Sequence, residues 1–146
     1  MILLDTDIIS LVQMEDSPDG LRVRARIAQL PHSEMVATTV ITYEEQIHGW
    51  FGAISRARQP FNRTREIQVY ARLVKHVEDY RKMKVVAYDD ASANQFDRLR
   101  SLRIRVGTND LRIAAIALSL DATLITRNLH DFAKVPNLRV EDWTKP

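Results

Sequence analysis

Acidic and amide side chains occur at four separate places along the chain, each beside a short apolar run or at the start of a helical pattern. They are Asp5 and Asp7, Glu44 and Glu45, Asp110, and Asn128 with Asp131. Carboxylates that lie close together repel, and they raise one another's pKa unless a cation neutralises them. Oxygen-only clusters suit Mg²⁺ or Mn²⁺, and such an ion can activate water for attack on a phosphate. The residue types therefore indicate metal-assisted phosphate chemistry, provided that the fold brings them together.

Helix capping is the alternative explanation for most of these residues. Acidic and amide side chains favour helix N-termini, because they accept hydrogen bonds from free N–H groups and oppose the helix dipole. Thr42 and Glu45 match the spacing of a capping box, and Asp7 and Asn128 fit plain N-caps. Capping explains Asp5 less well, because no cap requires a second acid two residues before Asp7, and it explains the whole set less well.

Five short apolar runs alternate with helical patterns along the chain. The runs span residues 1–4, 35–40, 84–88, 122–126 and 138–140. This alternation predicts βαβ units and an α/β fold, with a parallel sheet covered by helices on both faces. Ligands of open α/β sheets bind beyond the carboxyl ends of the strands. Because Asp5 and Asn128 follow predicted strands closely, we expect them at that edge.

Three helical patterns carry much of the remaining apolar surface. Residues 110–120 are apolar almost all round, which predicts a central, buried helix. The other two patterns, which flank Pro60, have apolar stripes at helical spacing. The stripes are Tyr43, Ile47, Trp50, Phe51 and Ile54 in the first, and Tyr70, Leu73, Val74 and Val77 in the second. Glu45 lies nearly opposite the first stripe, where it faces either a cleft or solvent.

The aromatic and histidine residues do not form a recognisable ligand pattern. We interpret four aromatic residues in apolar patterns as core or dimer-packing residues rather than as base-stacking platforms. They are Trp50, Phe51, Phe132 and Trp143. The four histidines have no metal-ligand spacing, so we expect structural or surface positions for them.

The composition narrows the class of protein. The chain has 146 residues, which is room for one domain, with 45% hydrophobic and 27% charged residues. It has no cysteine, which excludes a disulfide framework, a cysteine-ligated zinc and a cysteine nucleophile, and suits a cytoplasmic location. No apolar stretch approaches the roughly 18 residues of a membrane-spanning helix, so we expect no membrane association.

Binding of nucleic acid depends on where the basic residues are placed, because the formal net charge is only +2. Arginine suits bidentate contacts with phosphate, and two arginine clusters are candidate RNA-binding surfaces. The clusters are Arg56, Arg58, Arg63 and Arg65 around Pro60, and Arg98, Arg100, Arg103 and Arg105 ahead of Gly107. The alternative is that both are solvated helix faces.

Four segments together resemble one family. They are residues 3–10 (LLDTDIIS), 42–49 (TYEEQIHG), 107–117 (GTNDLRIAAIA) and 124–132 (LITRNLHDF). In sequence and order they resemble PIN domains, in particular the VapC-type toxin nucleases, and residues 140–143 resemble the usual ending. The resemblance implies a single PIN domain over residues 1–146. Its fold would be a three-layer sandwich around a central, mostly parallel twisted sheet of about four or five strands.

The resemblance also implies roles for individual residues. Asp5, Glu45 and Asp110 would be the catalytic acids that hold Mg²⁺, with Mn²⁺ as a possible substitute, and the alignment selects Glu45 over Glu44. Asn128 stands where many members carry a fourth acid, which leaves the number of metal ions open. Asp131 either replaces that acid in part or caps a short helix. The supporting residues would be Thr6, Asp7, Thr126, Asn128 and Asp131.

The function implied by the resemblance is that of a Mg²⁺-dependent endoribonuclease, the toxin of a toxin–antitoxin pair. Its expected partners are an RNA substrate, a small antitoxin protein and a second copy of the chain. Two alternatives remain open at this point. One is a catalytically inactive PIN-like binding module, which Asn128 favours. The other is a haloacid-dehalogenase-like phosphatase using Asp5 and Asp7, although the residues after Asp7 do not fit that family.

Overall fold

The predicted strands and helices are all present in the computed structural model, which describes residues 1–145. The strands are β1 (Ile2–Leu4), β2 (Val36–Thr39), β3 (Lys84–Val86), β4 (Thr123–Ile125) and β5 (Arg139–Glu141). The helices are α1 (Thr6–Gln13), α2 (Pro18–Ala28), α3 (Val40–Arg58), α4 (Arg63–Arg81), α5 (Asp90–Ser101), α6 (Thr108–Ser119) and α7 (Leu129–Phe132). Each strand lies within two residues of its predicted bounds.

The five strands form one sheet in the order β3-β2-β1-β4-β5, and every neighbouring pair is parallel. In the register of the sheet, Leu4 lies opposite Thr38 on one side and Ile125 on the other. The carboxyl ends of the three middle strands are therefore level with one another. The predicted α/β architecture is confirmed, and the sheet of the described residues is parallel throughout.

Helices cover both faces of the sheet, and alternate residues of β1 pack into two separate apolar cores. Leu3 packs with residues of α5 and α6 on one face. Ile2 and Leu4 pack with residues of α1 and α2 on the other. In α6, residues 113–117 are all buried, which confirms the prediction of a central helix.

The predicted apolar stripe of α4 is wrong as a buried face. Tyr70, Val74 and Val77 are exposed. The buried residues of α4 are instead Val69, His76 and Tyr80. His76 and Tyr80 pack ring against ring, with centroids 4.7 Å apart, and both lie near the ring of Tyr43. Aromatic packing between α3 and α4 therefore sets the orientation of α4, and its aliphatic side chains face outward.

The large aromatic residues have different environments. Phe132 and Trp143 are buried, as expected for core residues. Phe51 is 63% exposed, so it is not a core residue of this chain, and its packing in a dimer stays a prediction. Trp50 is half-buried beside His76, at a centroid distance of 5.6 Å. None of the helices in the described residues has the length and apolar character needed to cross a bilayer.

Candidate active site

Asp5 is the most buried acid at the carboxyl edge of the sheet. It follows β1, the middle strand. It is also the N-cap of α1, with its Oδ1 accepting a hydrogen bond from Thr6 N at 2.8 Å, so the sequence argument against a capping role for Asp5 is wrong. Its Oδ2 accepts a hydrogen bond from the Thr126 hydroxyl at 2.7 Å. Thr126 follows the adjacent strand β4 and is fully buried. The two strand ends therefore hold the Asp5 carboxyl in one orientation.

Burial is the main influence on the ionisation of Asp5. It raises the pKa of the Asp5 carboxyl from an ordinary 3.8 to about 7, against the lowering effect of the hydrogen bonds from Thr126 and Thr6. The negative charges of Asp7 and Asp110 raise this pKa further. The carboxyl group is thus held where its ionised form is unfavourable in the absence of a cation.

Asp110 approaches the same place from α6. It lies in the first turn of that helix and is half-buried. Burial raises its pKa, and the charges of Glu45, Asp131 and Asp7 raise it further. Such charge effects weaken with distance. Asp5 and Glu45, which are 40 positions apart in sequence, are both hydrogen-bonded to Thr6, and the charge of Glu45 raises the pKa of Asp110.

Glu45 lies on α3 and is oriented by α1. Its Oε2 accepts a short hydrogen bond from the Thr6 hydroxyl. The capping-box alternative is wrong, because α3 begins at Val40 and its N-cap is Thr39, whose hydroxyl oxygen accepts from Thr42 N at 3.0 Å. Glu45 is therefore past the first turn and plays no part in capping. The neighbouring Glu44 is exposed, and its Oε1 lies 3.8 Å from His48 Nε2.

Asp7 lies inside the first turn of α1, so its interpretation as an N-cap is also wrong. Its Oδ2 accepts hydrogen bonds from the Arg127 backbone N at 3.2 Å and from Arg127 Nε at 2.9 Å. Its Oδ1 is buried and has no hydrogen-bond partner among the described residues. Arg127, which sequence reasoning missed, therefore balances one charge at the edge of the cluster.

Asn128 and Asp131 are occupied in local contacts beside the acids. The Asn128 side-chain oxygen accepts from Asp131 N at 3.4 Å and so caps α7, while Asn128 N donates to the Thr126 hydroxyl oxygen at 3.0 Å. Asp131 pairs with Lys134 at 2.6 Å, and the hydrogen bond from Lys134 holds the pKa of Asp131 below its usual range. Asp131 does not cap α7, because the N-cap of that helix is Asn128, and its partial replacement of a fourth acid stays a prediction.

The first arginine cluster lies on α3 and α4 and the second on α5 and the segment that follows it, and all eight side chains are exposed. Arg56 is eleven residues beyond Glu45 on α3, which corresponds to about 16 Å along the helix axis. Arg58 Nε forms an ion pair with Glu66 Oε1 at 3.1 Å, and the Arg58 guanidinium lies over the Tyr70 ring. The second cluster ends two residues before Gly107, the N-cap of α6, and is therefore close in sequence to Asp110. RNA binding by either cluster stays a prediction.

The donor set of the cluster fits a divalent cation of the Mg²⁺ type. It consists of carboxylate and hydroxyl oxygens, and burial makes ionisation of Asp5 and Asp110 unfavourable until a cation is bound. Across residues 1–145, no group of three or more His, Asp or Glu side chains is arranged so that it could hold a metal ion. Mg²⁺ commonly takes one or two protein carboxylates and keeps several waters. The ligand roles of the predicted residues stay a prediction.

Fold and site together define a class of protein: an α/β domain with an oxygen-rich acidic centre at the carboxyl edge of a parallel sheet. The profile of the PIN domain matches residues 2–138. The chain therefore belongs to the PIN domain family, and the resemblance found in its four segments is confirmed.

Individual relatives are similar over nearly the full chain. Ribonuclease VapC1 of Haemophilus influenzae strain R2866 is 33% identical over 148 residues, covering 98% of this chain and 98% of that protein. The tRNA(fMet)-specific endonuclease VapC of Salmonella typhimurium is 26% identical over 145 residues, covering 97% and 96%. The solved structure of VapBC-1 from nontypeable Haemophilus influenzae superposes with a TM-score of 0.71 at 31% identity, covering 99% and 100%.

Proposed function

We propose that this protein is a Mg²⁺-dependent endoribonuclease, built as a single PIN domain over residues 1–146. One observation supports the proposal: Asp5 and Glu45 both accept hydrogen bonds from Thr6 at the carboxyl edge of the sheet, and burial raises the pKa of Asp5 and of Asp110. The names of the relatives, ribonuclease and tRNA endonuclease, support a phosphodiester of RNA as the substrate.

Some residues of the site would bind the ion, and others orient the side chains that bind it. Asp5, Glu45 and Asp110 would bind the divalent cation, which when bound stabilises negative charge at a phosphate and lowers the pKa of a coordinated water. The Thr126 hydroxyl fixes the Asp5 carboxyl, and the Thr6 hydroxyl fixes that of Glu45. Both hydroxyls act by restricting rotation, so the carboxylates are positioned before substrate arrives.

The proposal includes the role of toxin in a toxin–antitoxin pair. Its support is the likeness to the VapBC-1 structure and to relatives named VapC. The partners would be a small antitoxin and a second copy of the chain, and the site of action would be the cytoplasm. Expression alone should arrest growth, and co-expression of a short reading frame adjacent to the gene should relieve the arrest. Growth arrest by an Asp110→Asn protein would argue against RNA cleavage as its cause.

The phosphatase alternative is not favoured, because Asp7 is bound to Arg127 rather than free to act as an acid.

Two neighbouring acids on α3 provide a sharp test of the proposed nuclease activity. Glu45→Gln should lower RNA cleavage at least ~10- to 100-fold, whereas Glu44→Gln should leave it nearly unchanged. Cleavage should stop in EDTA, return with Mg²⁺ or Mn²⁺, and leave 5′-phosphate and 3′-hydroxyl ends. Equal activity of the two variants, or cleavage in EDTA, would contradict the proposal.

A further inference from the structure

Gln46 lies next to Glu45 on α3, and both line a cleft of about 660 Å³ between α1, α3 and α4. The Gln46 Nε2 donates to Ser10 Oγ and to Gln13 Oε1 on α1, both at 3.2 Å. Its Oε1 accepts a hydrogen bond from Tyr80 OH on α4 at 2.7 Å. The residue that follows a proposed metal-binding acid therefore joins α3 to the two other helices of the cleft.

The direction of each of these hydrogen bonds is fixed by its surroundings. Ser10 Oγ donates its own proton to Thr6 O at 2.8 Å, so towards Gln46 it can only accept. Burial raises the pKa of the Tyr80 phenol above its ordinary value, so that group stays protonated and donates. The Gln46 amide therefore has one orientation, with its nitrogen towards α1 and its oxygen towards α4.

The α1 residues that contact α3 lie on one side of their helix, at a spacing of i, i+4 and i+7. They are Thr6, Ser10 and Gln13. The first of them donates to Glu45, and the other two accept from Gln46 farther along the same side. The N-cap of α1 is Asp5. The hydrogen bonds of Gln46 therefore fix where α3 lies relative to the helix that begins after Asp5.

A polar side chain at this place restricts the packing of the helices more than an aliphatic one would. Gln46 is partly buried and Tyr80 is 8% exposed. If α3 were displaced, the amide and the phenol would lose partners that water replaces poorly in a buried environment. Apolar contacts are not directional, so a leucine would let α3 shift more easily. A fully paired network of this kind favours one arrangement of its helices.

We propose that Gln46 is a positioning residue of the nuclease. It holds the part of α3 that carries Glu45 against α1 and α4, so that the carboxylates of Glu45 and Asp5 serve the same cation. In this role Gln46 acts through Glu45 and contacts neither the cation nor the RNA. The inference rests on the proposed function, because it assigns Gln46 an effect on metal binding.

Binding of Mg²⁺ in the absence of RNA tests this role, and isothermal titration calorimetry measures it. Gln46→Leu keeps a side chain of similar size and removes all three hydrogen bonds. It should weaken Mg²⁺ binding about 10-fold, which is the lower end of the effect of losing an outer partner of a metal ligand. At a Mg²⁺ concentration below saturation, kcat for RNA cleavage should fall in parallel, whereas KM for RNA should not change.

A double-mutant cycle tests the path through α1. Ser10→Ala combined with Gln13→Leu removes both acceptors on α1 and leaves Gln46 in place. This variant should weaken Mg²⁺ binding about as much as Gln46→Leu, and adding Gln46→Leu to it should cause little further loss, because the same contacts are broken. Tyr80→Phe removes the hydrogen bond to α4 alone and should cause a smaller loss of affinity, about 3-fold.

Two control variants separate positioning from stability. Val69→Ala shortens a buried side chain of α4 that takes no part in these hydrogen bonds. It should lower the melting temperature in EDTA and leave the Mg²⁺ affinity unchanged. Gln68→Leu makes the same substitution at an exposed position of α4, and it should behave as the wild type in both measurements.

An unchanged Mg²⁺ affinity in Gln46→Leu would overturn the inference. An equal loss of affinity in Val69→Ala would also overturn it, because the effect would then follow stability. Fully additive losses in the cycle would rule out the path through α1. Loss of Mg²⁺ binding in Glu45→Gln but not in Gln46→Leu would leave the proposed function standing and remove this inference. Normal Mg²⁺ binding by Glu45→Gln would contradict the proposed metal site itself.

Discussion

Replacing Asp5 by Asn should make the metal-free protein more stable at alkaline pH, although it removes the central acid of the site. Asn resembles the protonated carboxyl, which is the form that burial favours at this position. Its side chain can still accept from Thr6 N and still fills the same space. The substitution therefore removes the unfavourable charge with little change in packing, and it should abolish RNA cleavage.

The magnitude follows from the difference between the two pKa values. Asp5 has a pKa of about 7 in the folded protein, against an ordinary 3.8. Each unit corresponds to about 1.4 kcal/mol, so ionisation of Asp5 destabilises the folded protein by up to about 4 kcal/mol. The hydrogen bond from Thr126 is weakened in the variant, which offsets on the order of 1 kcal/mol of this gain.

The sign with pH follows from proton binding. A group whose folded pKa is raised contributes its full stability below the unfolded pKa, and that stability is lost as pH rises through the folded pKa. For Asp5 the window therefore runs from about pH 4 to about pH 7. The stability of Asp5→Asn relative to the wild type should rise by about 3 kcal/mol between about pH 5 and about pH 8.

Urea unfolding at several pH values, in EDTA and at constant ionic strength, measures this difference. Asp89→Asn is the matched control, because Asp89 also follows a strand and caps a helix, but hydrogen bonds from Ser92 lower its pKa. Asp89 is ionised in both the folded and the unfolded protein above about pH 5. The difference in unfolding free energy between Asp89→Asn and the wild type should therefore not change with pH in that range. Mg²⁺ should stabilise the wild type and not Asp5→Asn, by about 2.7 kcal/mol at a concentration 100 times Kd.

A difference that stays constant with pH would refute the reasoning, and so would a variant less stable than the wild type throughout. Either result would mean that the Asp5 carboxylate is satisfied by its hydrogen bonds and that α1 capping is its main role. A slope equal to that of Asp89→Asn would have the same meaning. Loss of cleavage alone would not distinguish these cases, which is why the measurement is made without metal.

Three further predictions concern the surroundings of the acids. Thr6→Val should lower kcat/KM for RNA about 10-fold, because the Thr6 hydroxyl orients Glu45. It should barely change the melting temperature, because Thr6 is partly exposed. An unchanged kcat/KM would show that the hydroxyl is dispensable. Arg127→Gln should destabilise the protein in EDTA and lose that defect in Mg²⁺, since it leaves Asp7 unbalanced; equal melting curves in EDTA would contradict this. Neutralising either arginine cluster should reduce the salt dependence of RNA binding by about 0.7 per lost contact, with the unfolding free energy nearly unchanged; an unchanged slope would leave the arginines as solvated faces.

The fold and the principal acids could be predicted because they depend on short, local signals. Apolar runs separated by helical patterns are enough to predict a parallel sheet, and residues at strand ends meet at one edge for topological reasons. Asp5 and Asp110 are both next to such signals in the sequence. The choice of Glu45 over Glu44 came from the resemblance alone, and the contact with Thr6 supplies its physical basis.

The features that could not be predicted depend on competition between distant partners. On α4, the periodicity of aliphatic residues indicated the wrong buried face, because ring packing of His76 and Tyr80 with Tyr43 determines how the helix lies. Val69, His76 and Tyr80 are spaced at i, i+7 and i+11, which places them on one face of a helix. This face was not recognised as buried because His and Tyr carry polar atoms. The ion pair between Asp7 and Arg127 joins residues 120 positions apart, so no local pattern contains it.

The order of the strands explains why ionisation is most unfavourable at Asp5 rather than at another acid of the site. β1 lies between β2 and β4, so the residue that follows it is enclosed by two strand ends and by the helices on both faces. Asp110 enters from a helix and is only half-buried, and Glu45 is reached by solvent through the cleft. Unfavourable ionisation therefore falls mainly on the acid whose position the backbone fixes most firmly. A cation that relieves it interacts more strongly with a rigid carboxylate than with a mobile one, because little orientation is lost on binding.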